Sequence, residues 1–203
     1  YVRNIILNEG LKYINYDAFE YFIGLTEINL PASLEVIENE AFDCCSNVKQ
    51  FNVAAGNNYF SAVDGILYNK EQSKLILYPC GKTDTEVVVA NNVTELSDYA
   101  FYGAYYIKSL TIPEGITEIA DRAFCHCDKL VSIHIPDKVT RIGSAAFDQC
   151  YNLKYIELPE GLKSIENEAF YVTSLISITL PKSLTYIGED AFTNCKGLIN
   201  VEI

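Results

Sequence analysis

The sequence repeats itself about every 23 residues from end to end, and this restricts the fold more than any other feature. Segments 130–135 (LVSIHI), 153–158 (LKYIEL) and 198–203 (LINVEI) share one pattern. Nine copies end on Leu7, Leu30, Val53, Val89, Ile112, Ile135, Leu158, Leu180 and Ile203, spaced 23, 23, 36, 23, 23, 23, 22 and 23 residues apart. An Ala-Phe pair stands between copies, closing on Phe19, Phe42, Phe101, Phe124, Phe147, Phe170 and Phe192. A fixed period of this length defines a solenoid, because one unit cannot bury its apolar face until neighbours stack on it. Such a chain presents an extended surface.

Each copy alternates apolar and polar residues, the period of a half-buried strand. Pro31, Pro113, Pro136, Pro159 and Pro181 follow directly and end the strand, since proline cannot donate to a ladder. A second extended piece follows, as at Leu162 to Ile165, and then a turn in which Ala-Phe drops a ring into the core. A single helical turn is expected at Ala-Phe-x-x-Cys. Nine in-register strands would make a parallel sheet about 40 Å long, expected on the concave face. The coil spanning 54–89 is irregular and lacks Ala-Phe. Its alternation predicts a hairpin of 61–69 with 74–79 around Lys70–Ser73, with Val87 and Val89 resuming an unbroken sheet.

The units LPEGLKSIENEAF (158–170) and LPKSLTYIGEDAF (180–192), with A-F-x-x-C, resemble the BspA-type leucine-rich repeats of bacterial and protozoan surface proteins. The resemblance covers nearly the whole chain. It departs in the long coil, 54–89; from ordinary leucine-rich repeats, which carry Asn or Cys after the strand, the chain differs in placing cysteine before it. It implies a right-handed leucine-rich repeat solenoid of about eight coils, mostly β with short turns. It also implies a cell-surface or extracellular setting and a protein partner. With no initiator methionine and no capping unit, 1–203 is expected to be a single domain cut from a larger protein.

The net charge is −12, with carboxylates spread through the turns. No basic stripe offsets it, which argues against nucleic-acid binding. No apolar run is long enough to insert into a membrane. Among the seven cysteines, Cys45, Cys127, Cys150 and Cys195 each fall three residues after the repeat's Phe, and Ala104 takes that place once. Recurrence at one offset predicts an inward column of free thiols serving as small apolar filler. Cys44-Cys45 and Cys125-His126-Cys127 lack the second pair that a structural zinc requires. No phosphate loop or dinucleotide fingerprint points to a cofactor.

Outward strand positions form two polar ladders, interrupted by one aromatic ring, Tyr155. Around it the register places Ser132, His134, Glu157, Ser177 and Thr179, which makes this the candidate partner-binding patch. Stacking is expected to set Glu157 about 5 Å from His134. Ser132, His134 and Glu157 have the residue types of a hydrolase triad. However, i, i+2 positions on an open sheet, without an oxyanion loop, argue against an enzyme. The tyrosines around Phe101 and in the long coil either cover the core or stack on a protein or glycan. Two functions remain: an adhesion or protein-interaction module working through the concave sheet, and a structural spacer that binds nothing.

Overall fold

The computed structural model describes residues 2–202; Ile203, which ends the ninth copy, lies outside them. The chain is a parallel β-solenoid of about eight turns, each regular coil passing through a strand, a second short strand and a turn. The first strands pair in register: Glu27–Leu30 with Gln50–Val53, Glu86–Val88 with Ser109–Thr111 and Ser132–His134, and Ser177–Thr179 with Asn200–Glu202. The second strands are two residues each. Tyr13–Ile14 pairs with Val36–Ile37, and Glu118–Ile119, Arg141–Ile142, Ser164–Ile165 and Tyr186–Ile187 form one run. Alternation is kept in the first strands from Glu27–Leu30 to Ser177–Thr179: in Glu27–Leu30, Ile28 and Leu30 are buried while Glu27 and Asn29 are exposed.

The first sheet is not continuous. The long coil folds into a meander of Phe60–Val63, Ile66–Asn69 and Lys74–Leu77, antiparallel in both pairings. The expected strand 61–69 is bent in half at Asp64-Gly65, whose φ values of 50° and 78° are those of a type I′ hairpin. The turn at Lys70–Ser73 forms as expected, and Lys74–Leu77 rejoins the second side by pairing with Glu95–Leu96. The hairpin tip packs on Gln50–Val53, with the Phe51 N–H donating to the Gly65 carbonyl at 2.8 Å. That contact occupies the edge Glu86–Val88 would need, so the expected unbroken sheet from Val53 to Val87 is absent. A second break lies between Ser132–His134 and Ser177–Thr179.

The turns contain no helix among the described residues. Two residues with left-handed φ flank each Ala-Phe, such as Arg122 (52°) and His126 (58°) around Phe124, or Ala145 (51°) and Gln149 (57°) around Phe147. A helical turn cannot continue through such a residue. Left-handed backbone turns alternate N–H groups along the solenoid axis instead. Arg122, Phe124 and His126 donate to Ser144, Ala146 and Asp148 of the next coil at 2.8–2.9 Å. The N–H groups between them, of Cys125 and Cys127, close local turns on Arg122 and Phe124 at 3.1 Å. Every backbone donor from Arg122 to Cys127 except Ala123, at 3.3 Å, is thus held at 3.1 Å or less.

Inside, the rings of Phe101, Phe124, Phe147, Phe170 and Phe192 stack with centroids 5.3–5.4 Å apart. Tyr78 extends this column through the long coil, 5.2 Å from Phe101, standing where other coils carry Phe. The cysteines line up behind the rings as expected, and all seven are free thiols. They do more than fill space: Cys45, Cys127, Cys150 and Cys195 donate to the carbonyls of Phe19, Phe101, Phe124 and Phe170 one coil back, at 3.0–3.3 Å. Thr173, buried in the same column, meets the Cys195 thiol at 3.1 Å. The core is divided into two clusters. Leu67 belongs to the N-terminal one and its neighbour Tyr68 to the C-terminal one, so strand Ile66–Asn69 forms a wall between them.

Candidate partner-binding face

The outward ladders run where the alternation places them. Gln50 donates to Glu27 at 2.9 Å and Asn52 to Asn29 at 3.0 Å, while Ser109 and Ser132 share one rung and Thr111 and His134 the next. Most of the outward side chains are polar; Ile6 and Val88, 78% and 76% exposed, are apolar, and Tyr155, 60% exposed, is aromatic.

Tyr155 and Glu157 do not lie in a paired strand. Segment 153–158 is extended, and Leu153 and Ile156 keep their side chains in the core. Yet among the described residues the N–H groups of Lys154 to Leu158 and the carbonyls of Tyr155 to Leu158 make no backbone hydrogen bond. A single bond, Ile176 N–H to Lys154 O at 3.1 Å, ties the segment to the next coil. Beyond it a groove of about 650 Å³ opens between this segment and Ser177–Thr179. Tyr155, Glu157, Ser177 and Thr179 all line it.

The structure therefore brings together four of the six candidate residues. Ser132 and His134 lie across the second break, on a strand that pairs only with Ser109–Thr111. The expected Glu157–His134 pair does not form its ion contact; the carboxylate facing the imidazole is Glu114, Oε1 3.2 Å from Nε2. Glu114 follows Pro113 and reaches forward to the neighbouring strand, a direction that strand register does not encode. Two further groove residues escaped the strand alternation, Glu160 and Lys182 just past their prolines, while Glu202, an outward position of the second ladder, lines the groove from the next strand.

Of the tyrosines around Phe101 and in the long coil, Tyr68, Tyr78 and Tyr99 are buried and Tyr102 and Tyr105 half-buried, while Tyr59 and Tyr106 are exposed, Tyr106 beneath the Lys129 ammonium at 5.1 Å. Where the two cores meet, Asp43 is pushed up to about 7 by burial, then by the neighbouring carboxylates of Glu40, Glu20 and Asp17. Burial likewise pushes the Cys45 thiol up to about 11 and Cys80 to about 12, so both stay protonated. No helix among the described residues is long and apolar enough to cross a membrane.

The fold is shared with solved bacterial proteins. A leucine-rich cell surface protein from Faecalibacterium prausnitzii is 28% identical with a TM-score of 0.86, and the match covers 97% of this chain and 58% of that one. The pneumococcal vaccine antigen PcpA is 26% identical with a TM-score of 0.71, over 94% of this chain and 48% of that one. A leucine-rich repeat protein from Eubacterium ventriosum, 23% identical at a TM-score of 0.56 over 84% and 59% of the two chains, shares the fold. The chain thus spans about half the length of the first two. No curated protein matches it. Proteins with this repeat and fold are typically non-enzymatic. The profile of the BspA type leucine rich repeat region matches six copies over residues 1–77 and 71–199, so the chain belongs to the BspA-type leucine-rich repeat family.

Proposed function

We propose that this chain is a protein-interaction module of a cell-surface or secreted protein, and that it binds its partner on the strand face around Tyr155. The observation that carries the reading is Tyr155 itself. It is an amphipathic ring left 60% in solvent beside a groove, and the outward positions on the strands to either side of it, Ser132 and Ser177, are small and polar. Rings of this kind, bordered by adaptable hydroxyls such as Ser177 and Thr179, are the usual centres of binding energy. The similarity to a leucine-rich cell surface protein of Faecalibacterium supports the setting. A spacer role is favoured by a different feature, the regular ring column from Phe101 to Phe192, which would give a rigid rod with no partner.

The test is capture of surface proteins from candidate host or neighbouring cells by the wild-type chain, Tyr155→Ala and His134→Ala, with bound proteins identified and their affinities measured. Tyr155→Ala is expected to cost at least about 1 kcal/mol, about fivefold in affinity, without lowering the melting temperature. Equal capture of the same partners by all three would reject this face. Binding to a glycan array in place of proteins would change the partner class.

A further inference from the structure

We infer that the groove beside Tyr155 takes an extended, cationic peptide segment of the partner, whose main chain pairs with the open backbone of residues 155–157. This rests on the reading of the face given above and specifies the chemistry of its partner. Two independent observations carry it. An extended chain with free N–H and C=O groups on a cleft is a template for strand addition, in which main-chain hydrogen bonds supply affinity and side-chain contacts supply selection. Residues 155–157 have such a chain: their N–H and carbonyl groups make no backbone bond, although the equivalent groups of Ser109–Thr111 are paired on both sides. The groove runs alongside for about 650 Å³, room for several residues in extended form.

The second observation is charge. Glu157, Glu160 and Glu202 line the groove against one cation, Lys182, on a chain whose net charge is −12. An acidic peptide would meet repulsion on three sides, whereas lysine or arginine side chains alternating from an extended backbone would reach these carboxylates. Tyr155 at the rim adds an aromatic face on which an alkyl stem or a cation can rest.

The probe is a fluorescently labelled decapeptide alternating lysine and threonine, titrated against the intact chain by anisotropy. It is compared with the glutamate-threonine analogue and with a form N-methylated at alternate residues. The lysine peptide is expected to bind. The glutamate analogue, the N-methylated form and the Glu157→Lys, Glu160→Lys double variant should each bind at least about tenfold more weakly. Glu27→Lys, on a distant strand of the same face, should bind as wild type does, and unchanged melting temperatures would show that the variants remain folded. Equal weakening by Glu27→Lys would mean that bulk acidity alone attracts the peptide and would overturn the inference. Undiminished binding of the N-methylated form, or no binding of the lysine peptide, would overturn it too. Partner capture that still depends on Tyr155 would then leave the face reading standing. Peptide binding in a chain whose partner capture ignores Tyr155 would reject the face reading and keep the groove.

Discussion

Tyr78 stacks on Phe101 with ring centroids 5.2 Å apart and its hydroxyl 3.0 Å from Asp84 Oδ2, so a tyrosine in the irregular coil carries the phenylalanine column of its neighbours. The Tyr78 N–H donates to Ala100 O at 2.7 Å, just as Phe101 N–H donates to Ala123 O at 2.7 Å. Position in the column, rather than residue type, is thus preserved.

Removing that ring should therefore cost as much as removing a repeat phenylalanine. Tyr78→Ala is expected to destabilise by about 3–5 kcal/mol, and Tyr78→Phe by only about 1 kcal/mol for the lost hydrogen bond. Urea midpoints of the two variants check this; equal losses would mean that the hydroxyl and not the ring matters.

The thiol column predicts a graded response. Phe147→Ala should lose about 3–5 kcal/mol. Cys150→Ala removes one sulfur and a weak bond to Phe124 O, and should lose about 1–2 kcal/mol. Because all seven cysteines are free, adding reductant should leave the melting temperature of the wild type unchanged.

Asp43 should make stability fall as pH rises. Its folded value of about 7 lies above the ordinary 3.8, so the folded chain holds a proton that the unfolded chain has released. Stability is then full below about pH 4 as far as this group is concerned, and declines between about pH 4 and pH 7. Asp43→Asn should flatten that slope and raise the melting temperature at pH 8. A parallel pH profile for the two proteins would refute the assignment.

Gly65 should tolerate no side chain. Its φ is +78°, and an added Cβ would lie 2.7 Å from Gln50 Cβ, so Gly65→Ala strains the turn and pushes the hairpin off Gln50–Val53. Expected is a loss of about 1–3 kcal/mol, measured by denaturant unfolding and compared with Gly56→Ala, where an added Cβ meets nothing within 4 Å.

What could be read from the sequence was whatever the period repeats. Phe124 and Phe147 occur at one offset and are fully buried at one place; Ser132 and Ser109 occur at one offset and share a rung. What could not be read depended on departures from the period. Asp64-Gly65 is a strong hairpin signal, but it lay inside a segment whose alternation looked continuous. The helical turn expected at Ala-Phe-x-x-Cys fails because Arg122 and His126 adopt left-handed φ, which neither residue type announces. For the binding patch, alternation correctly placed Tyr155, Glu157, Ser177 and Thr179 outward. It could not show that the ladder stops beside Ser132 and His134, because hydrogen-bond breaks follow from small shifts between coils and not from which face a residue occupies.

The strand Ile66–Asn69, with Leu67 facing one core and Tyr68 the other, has a consequence for cooperativity. Neighbouring repeats melt together to the extent that their interface is large, and here, beside this wall, the N-terminal coils meet the rest through individual bonds such as Gly81 N–H to Val48 O at 2.7 Å, Asn39 to Asp98 and Tyr99 to Glu40. The expected consequence of the divided core is two melting units within one polypeptide. A calorimetric scan fitted as one transition is then expected to return a van 't Hoff enthalpy below the measured heat, and equal enthalpies would show that the two cores open together.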